Sequence, residues 1–174
     1  MKNVVNMTAQ FAKACGAKIV ATTGTDSKSG TLKKLGADHV LNYKNTPAWG
    51  AAAKALTPEG RGFDHIVEVA GPASMRQSLN AIAPDGVISI IGFLGGGKGE
   101  DQPSFLDALT KMCVVRGIYV GSRVLMEDMC RAVEANDHLK PVMDPKVFGL
   151  EEVKEAYQHM WDQKHFGKIG IEIE

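Results

Sequence analysis

The chain has 174 residues, 44% of them apolar, with twenty basic residues against twenty acidic ones, which is enough for one domain with a real core and too little for two ordinary ones. Zero net charge gives no electrostatic pull toward nucleic acid or an anionic membrane, so those two partner classes are set aside. The three cysteines (Cys15, Cys113, Cys130) form no CxxC or Cys/His spacing, and the first twenty residues hold no long apolar run, so the expectation is a reduced, cytoplasmic protein without a bound metal.

Val4, Thr8, Phe11, Ala12 and Cys15 recur at helical spacing and Gly16 follows as a stop, which predicts an amphipathic helix over 4–15. "KIVATT" (18–23) is a short β-branched strand, and the helix after it, ending at Gly36, is capped by Asp26 or Ser27. Strand 39–43, helix 47–57, strand 63–70 and helix 73–83 continue the alternation. "GVISIIGF" (86–93) is nearly all apolar, the pattern of a strand covered on both faces. A helix near 103–112, a strand 114–121, and a helix with Leu125, Met129, Ala132 and Val133 on one face follow. The tail holds a helix aligning Leu150, Val153, Tyr157, Met160 and Trp161, then the strand "KIGIEIE". Strands alternating with helices at this spacing predict an α/β, Rossmann-like, doubly wound parallel sheet.

Several motifs tempt. "GFLGGGKG" (92–99) carries G-x-x-x-x-G-K, but Gly99 stands where a P-loop needs Ser or Thr for magnesium, and Glu100 and Asp101 follow where a helix N-terminus should hold phosphate. A dinucleotide-binding turn, G-x-G-x-x-G between a first strand and the first helix, has only Met1, Lys2 and Asn3 in its place. At the end of strand 18–23, NAD-selective sites carry Asp or Glu for the ribose 2′-hydroxyl; here Thr22, Thr23 and Gly24 stand with Lys28 one turn on, which suits a 2′-phosphate and hence NADP(H). The same residues are equally a strand end and a solvated lysine. "VEVAGP" and "IIGFLGG" end strands in small residues at the carboxyl edge, where α/β sheets bind ligands, although turns also need glycine. Glu68 inside an apolar strand must find a partner or face a cleft. The five histidines show no metal-ligand pattern, and no G-x-S-x-G elbow is present.

In order along the chain, "QFAKACGAKIVATT", "LKKLGADHVLNY", "FDHIVEVAG", "GVISIIGFLGG", "RGIYVGSR" and "HFGKIGIEI" resemble the cofactor-binding domain of the medium-chain dehydrogenase/reductase superfamily, near its zinc-type alcohol dehydrogenase and quinone oxidoreductase branches. The resemblance covers essentially the whole chain. It implies a single truncated Rossmann-like domain over 1–174 that binds NADP(H) and serves oxidoreductase chemistry on a small-molecule substrate. It also implies that Thr23, Gly24, Lys28 and Tyr43 surround the adenosine phosphate and that Ala70 and Gly71 flank the cofactor. Gly92, Phe93 and Leu94 would meet the nicotinamide side, with Val120, Gly121 and Ser122 nearby. Strand 114–120 matches the edge through which such subunits form homodimers. The barrel-like (GroES-like) substrate domain that supplies the family's catalytic residues, and zinc ligands where there are any, has no counterpart here, nor has the first Rossmann strand with its glycine turn. The missing strand is central in the usual order, so a gap or an altered sheet is expected. The alternative is a chain recruited away from redox work, as a cofactor-free enzyme or a dimeric binding module, with Glu68 and Tyr119 as the first acid/base candidates.

Overall fold

The computed structural model describes residues 2–93, 95–96 and 102–173, with side chains from Val4 onward. The chain runs α1 (Lys2–Ala14), β1 (Val20–Thr23), α2 (Ser29–Lys34), β2 (His39–Asn42), α3 (Trp49–Lys54), β3 (Phe63–Glu68), α4 (Pro72–Ala81), β4 (Ile82–Ile90), α5 (Leu106–Lys111), β5 (Val114–Gly117), α6 (Arg123–Glu134), β6 (Met143–Gly149), α7 (Val153–Trp161) and β7 (Lys168–Glu172). Every ladder is parallel, as the alternation of strand and helix predicts.

The strands fall into three ladders, β1-β2, β3-β4-β5 and β6-β7. Among the described residues no ladder joins β1 to β3, so the break lies where the first Rossmann strand was expected to be missing. Each half has its own core. Ala21, Leu32 and Ala37 form the first, with Val5 of α1, Ile19 and Val40 packed on it. Leu79, Ile82 and the fully buried Ile88 form the second, with Ile66, Met75, Ile90 and Cys113 around it. The Gly50 backbone N–H donates to Gln77 Oε1 at 2.9 Å and ties α3 to α4 across the two. Gly50 is also so near the Gln77 carbonyl that a Cβ would have no room.

Three boundaries differ from the sequence reading. Asp26 to Lys28 form one 3₁₀ turn, and α2 begins at Ser29 with no side-chain cap, because the Asp26 carboxylate accepts instead from Asn42 at 2.8 Å and Asn45 at 3.2 Å. β4 starts at Ile82, ahead of Pro84, and stops at Ile90. β5 ends at Gly117, so Tyr119 and Val120 lie past the edge strand rather than in it, although Ile118 still donates to the Ile90 carbonyl at 2.8 Å.

β6 has no counterpart in the sequence reading. Pro145 stands in its middle and removes a ladder donor, which demotes such a run in any pattern-based reading. The strand accommodates the proline with a register shift between Met143 and Val147 against β7. Its corner is held by buried Asp144, which accepts from the backbone of Lys146 at 3.0 Å and of Phe166 at 2.5 Å. No helix among the described residues is long and apolar enough to cross a membrane.

Candidate cofactor site at the carboxyl edge

Parallel ladders bring the carboxyl ends of their strands to one edge, and the sequence-predicted residues collect there in groups. The first is at the end of β1. The Thr23 hydroxyl and the Thr25 backbone exchange hydrogen bonds at 3.2 and 3.3 Å, which turns the chain sharply at Gly24. The Tyr43 backbone N–H donates to the Thr23 carbonyl at 3.0 Å, and the Tyr43 ring lies so close over Gly24 that a Cβ there would come within 2.6 Å of the phenol oxygen. Thr23, Gly24 and Tyr43 are therefore one constellation. Lys28 follows on the 3₁₀ turn, half-buried, and among the described residues it has no ion-pair partner. Asp26, two residues before it, accepts from the two amides of Asn42 and Asn45. Sequence reasoning passed over Asp26, Asn42 and Asn45 as a unit; the signal was an acidic residue three past a strand end with asparagines at the end of the neighbouring strand.

The second group joins β3 to β4. Gly71 has φ +80°, a conformation that strains any residue with a Cβ, and a Cβ there would sit 2.7 Å from the Phe93 Cα. Gly95 donates its N–H to the Ala70 carbonyl at 2.9 Å, and its own missing Cβ would meet that carbonyl at 2.7 Å. Gly92 approaches the Val69 backbone as closely. Ala70, Gly71, Gly92 and Phe93 thus interlock through backbone, with the Phe93 side chain 70% exposed above them. Leu94 lies outside the described residues. Gly95 was not picked out from the sequence, since one glycine in a run of three carries no positional signal.

Beneath that turn Glu68 is 3% exposed and fully engaged. Its Oε1 accepts from the backbone N–H of Ala70 at 2.9 Å and of Gly71 at 3.0 Å and from the Ser74 hydroxyl at 2.5 Å; its Oε2 accepts from the Ser78 hydroxyl at 2.5 Å. Tyr119 is 91% exposed while Glu68 is buried with its four donors, so the two acid/base candidates are not brought together. His65, on the same strand, is exposed while Glu68 is buried, as their spacing requires.

Val120, Gly121 and Ser122 form the third group. Ser122 caps α6, accepting from Leu125 N–H at 3.3 Å, and Gly121 packs against the Leu125 side chain. Their tie to the rest of the edge is the Ile118–Ile90 hydrogen bond.

At Gly24, Gly71, Gly92 and Gly95 the chain packs so closely on itself that a Cβ is excluded, by the Tyr43 ring, the Phe93 backbone, the Val69 carbonyl and the Ala70 carbonyl respectively. Among the described residues no three His, Cys, Asp or Glu side chains gather in a ligand set for a metal ion.

Residues 4–135 match the family model described as zinc-binding dehydrogenase. A zinc-type alcohol dehydrogenase-like protein of Schizosaccharomyces pombe is 41% identical over 167 residues, 95% of this chain and 47% of that protein. A crystal structure of an alcohol-dehydrogenase-type protein from Sinorhizobium meliloti 1021 is 43% identical with a TM-score of 0.82, over 95% of this chain and 46% of the other. A crystal structure of an NAD-dependent alcohol dehydrogenase is 30% identical, with a TM-score of 0.82, over 95% and 47%. The chain spans about half the length of these relatives.

Proposed function

As the chain belongs to the zinc-binding dehydrogenase family, we propose that it is the cofactor-binding half of an NADP(H)-dependent oxidoreductase acting on a small-molecule substrate in the cytoplasm. The observation that carries this reading is the end of β1: a neutral Thr23–Gly24 turn under the Tyr43 ring, Lys28 without an acidic partner among the described residues, and the neighbouring Asp26 engaged by Asn42 and Asn45. A carboxylate at that strand end would accept the ribose 2′-hydroxyl of NAD; a lysine beside small polar groups neutralises a 2′-phosphate instead. The bound nicotinamide would supply hydride transfer. The protein's own residues would bind and orient it: Thr23, Gly24, Lys28 and Tyr43 around the adenosine phosphate, Ala70 and Gly71 flanking the cofactor, Gly92, Phe93 and Leu94 on the nicotinamide side, and Val120, Gly121 and Ser122 nearby.

The same reading includes pairing with a second copy through β5. That strand is exposed at every residue and, among the described residues, pairs only with β4, so its outer edge offers backbone groups to a second strand. Val114, Val115, Val120, Val124 and Leu125 continue the exposed apolar surface from it.

Titration with NADPH and NADH, followed through Trp49 and Trp161 fluorescence or by calorimetry, tests the cofactor. Tighter binding of NADPH supports the proposal; no binding of either at millimolar concentration overturns it and leaves a chain recruited away from redox work.

A further inference from the structure

We infer that Glu68 is a built-in anion that fills the N-terminus of α4 and holds the Ala70–Gly71 turn with its N–H groups facing inward, so that this part of the carboxyl edge is closed to phosphate and offers a rigid neutral surface to the nicotinamide end of the cofactor. The inference rests on the cofactor reading above. It assigns Glu68 a positioning role, in place of the acid/base role its sequence context suggests.

An N-terminus of a ten-residue helix presents free backbone N–H groups and a partial positive charge, and ordinarily attracts an external anion. Here Pro72 removes one donor, and the N–H groups of Ala70 and Gly71 both point at Glu68 Oε1. Ser74 and Ser78, four apart on α4, turn the same face to the carboxylate and close its remaining side. Two backbone donors and two hydroxyls saturate a group that only accepts when ionised. At 3% exposure Glu68 has no route to substrate, and a charge buried this far persists only when so satisfied.

The consequence lies above the turn. With both N–H groups committed downward and the Ala70 carbonyl taken by Gly95, the loop cannot rotate to meet a phosphate. Gly71 at φ +80° packs on Phe93 backbone in that one orientation. The internal carboxylate therefore fixes the Ala70–Gly71 turn in one orientation.

Excising the carboxylate tests this. Glu68→Ala removes the anion and leaves a pocket of its shape lined by four donors. Formate should raise the melting temperature of Glu68→Ala more than chloride at equal ionic strength does, and should leave the unmutated protein unmoved. Equal effects of formate and chloride would overturn the internal-anion assignment whether or not any cofactor binds. Should Glu68→Ala fail to fold, Glu68→Gln keeps the volume without the charge. Against that variant NADPH should bind roughly tenfold more weakly, while adenosine 2′,5′-bisphosphate, which lacks the nicotinamide end, should bind as it does to the unmutated protein. Equal weakening of both ligands, or of neither, would overturn the positioning role. Failure of the unmutated protein to bind either ligand would instead count against the cofactor reading, and the formate comparison would still decide Glu68.

Discussion

Ile19 donates its backbone N–H to Asp38 Oδ2 at 2.8 Å, joining the residue before β1 to the residue before β2. The other oxygen of Asp38 meets Lys13 at 3.1 Å, with Lys18 at 3.6 Å, so one carboxylate ties the end of α1 to both strands of the first ladder. The backbone donor first, and then the lysine, hold its carboxyl down from 3.8 to about 2. A carboxyl depressed on folding stabilises the folded state above its unfolded value and loses that effect as pH falls through its folded value. Asp38→Asn should therefore lower the melting temperature at pH 7 and flatten the loss of stability between about pH 4 and pH 2, followed by circular dichroism. An unchanged acid profile would remove Asp38 from this role.

Ser78 carries a sharper expectation within the Glu68 cluster. It is fully buried and donates to Oε2, whereas Ser74 shares Oε1 with two backbone N–H groups. Ser78→Ala leaves half a buried carboxylate short of a donor, which costs about 1–3 kcal/mol. Ser74→Ala should cost less, because Oε1 keeps both N–H donors. Urea unfolding of the two variants measures the order, and a larger loss for Ser74→Ala would contradict it.

Glycines 16 and 71 separate two effects that are usually confounded. Both have positive φ, +78° and +80°, but nothing lies within 4 Å of a Cβ at Gly16, whereas the Phe93 Cα would be 2.7 Å from one at Gly71. Gly16→Ala should cost about 1–2 kcal/mol, the left-handed penalty alone. Gly71→Ala adds a clash with backbone that no rotamer relieves, so its loss in chemical denaturation should be clearly larger and should carry NADPH affinity down with it. Similar losses would show that the β3–β4 ends are looser than their interlock implies.

The alternation of strand and helix was legible because buried parallel strands read as β-branched and apolar runs separated by helical periods, as "KIVATT" and "GVISIIGF" do. Glu68 was legible as an anomaly, a carboxylate in an apolar strand, but not as a solved one. Its partners stand six and ten residues on, on the next helix, and only the return of α4 along β3 brings Ser74 and Ser78 to it. β6 was invisible because Pro145 contradicts strand propensity, and the strand forms through its ladder to β7 and the Asp144 corner rather than through local preference. The reach of β5 was overread: "VVRGIYVG" has strand composition to its end, but pairing stops at Gly117.

Pairing through β5 predicts a charge-sensitive dimer. Val115 lies on β5, partnered among the described residues to Ile88 alone, and Leu125 is exposed on the first turn of α6. Val115→Glu with Leu125→Glu would place like charges across a two-fold interface, where buried unpaired carboxylates are strongly unfavourable. Light scattering after size exclusion should show the unmutated chain at twice the monomer mass and the double variant at the monomer mass, with similar circular dichroism. A monomeric unmutated chain would refute this interface.

Lys28 decides between the two nicotinamide cofactors. Its ammonium has no acidic partner among the described residues and stands a turn beyond Thr23 and Gly24, while Asp26, the carboxylate that would repel a phosphate, is held by Asn42 and Asn45. Lys28→Ala removes one cation from the 2′-phosphate, a charge-assisted contact whose loss corresponds to about tenfold in affinity for NADPH, with NADH unchanged because it has no such phosphate. Freeing Asp26 by Asn42→Ala together with Asn45→Ala should act in the same direction through repulsion. Calorimetric titration of each variant with both cofactors separates the outcomes: equal weakening of NADPH and NADH would mean that Lys28 supports the turn, and a selective loss of NADPH would place it against the phosphate.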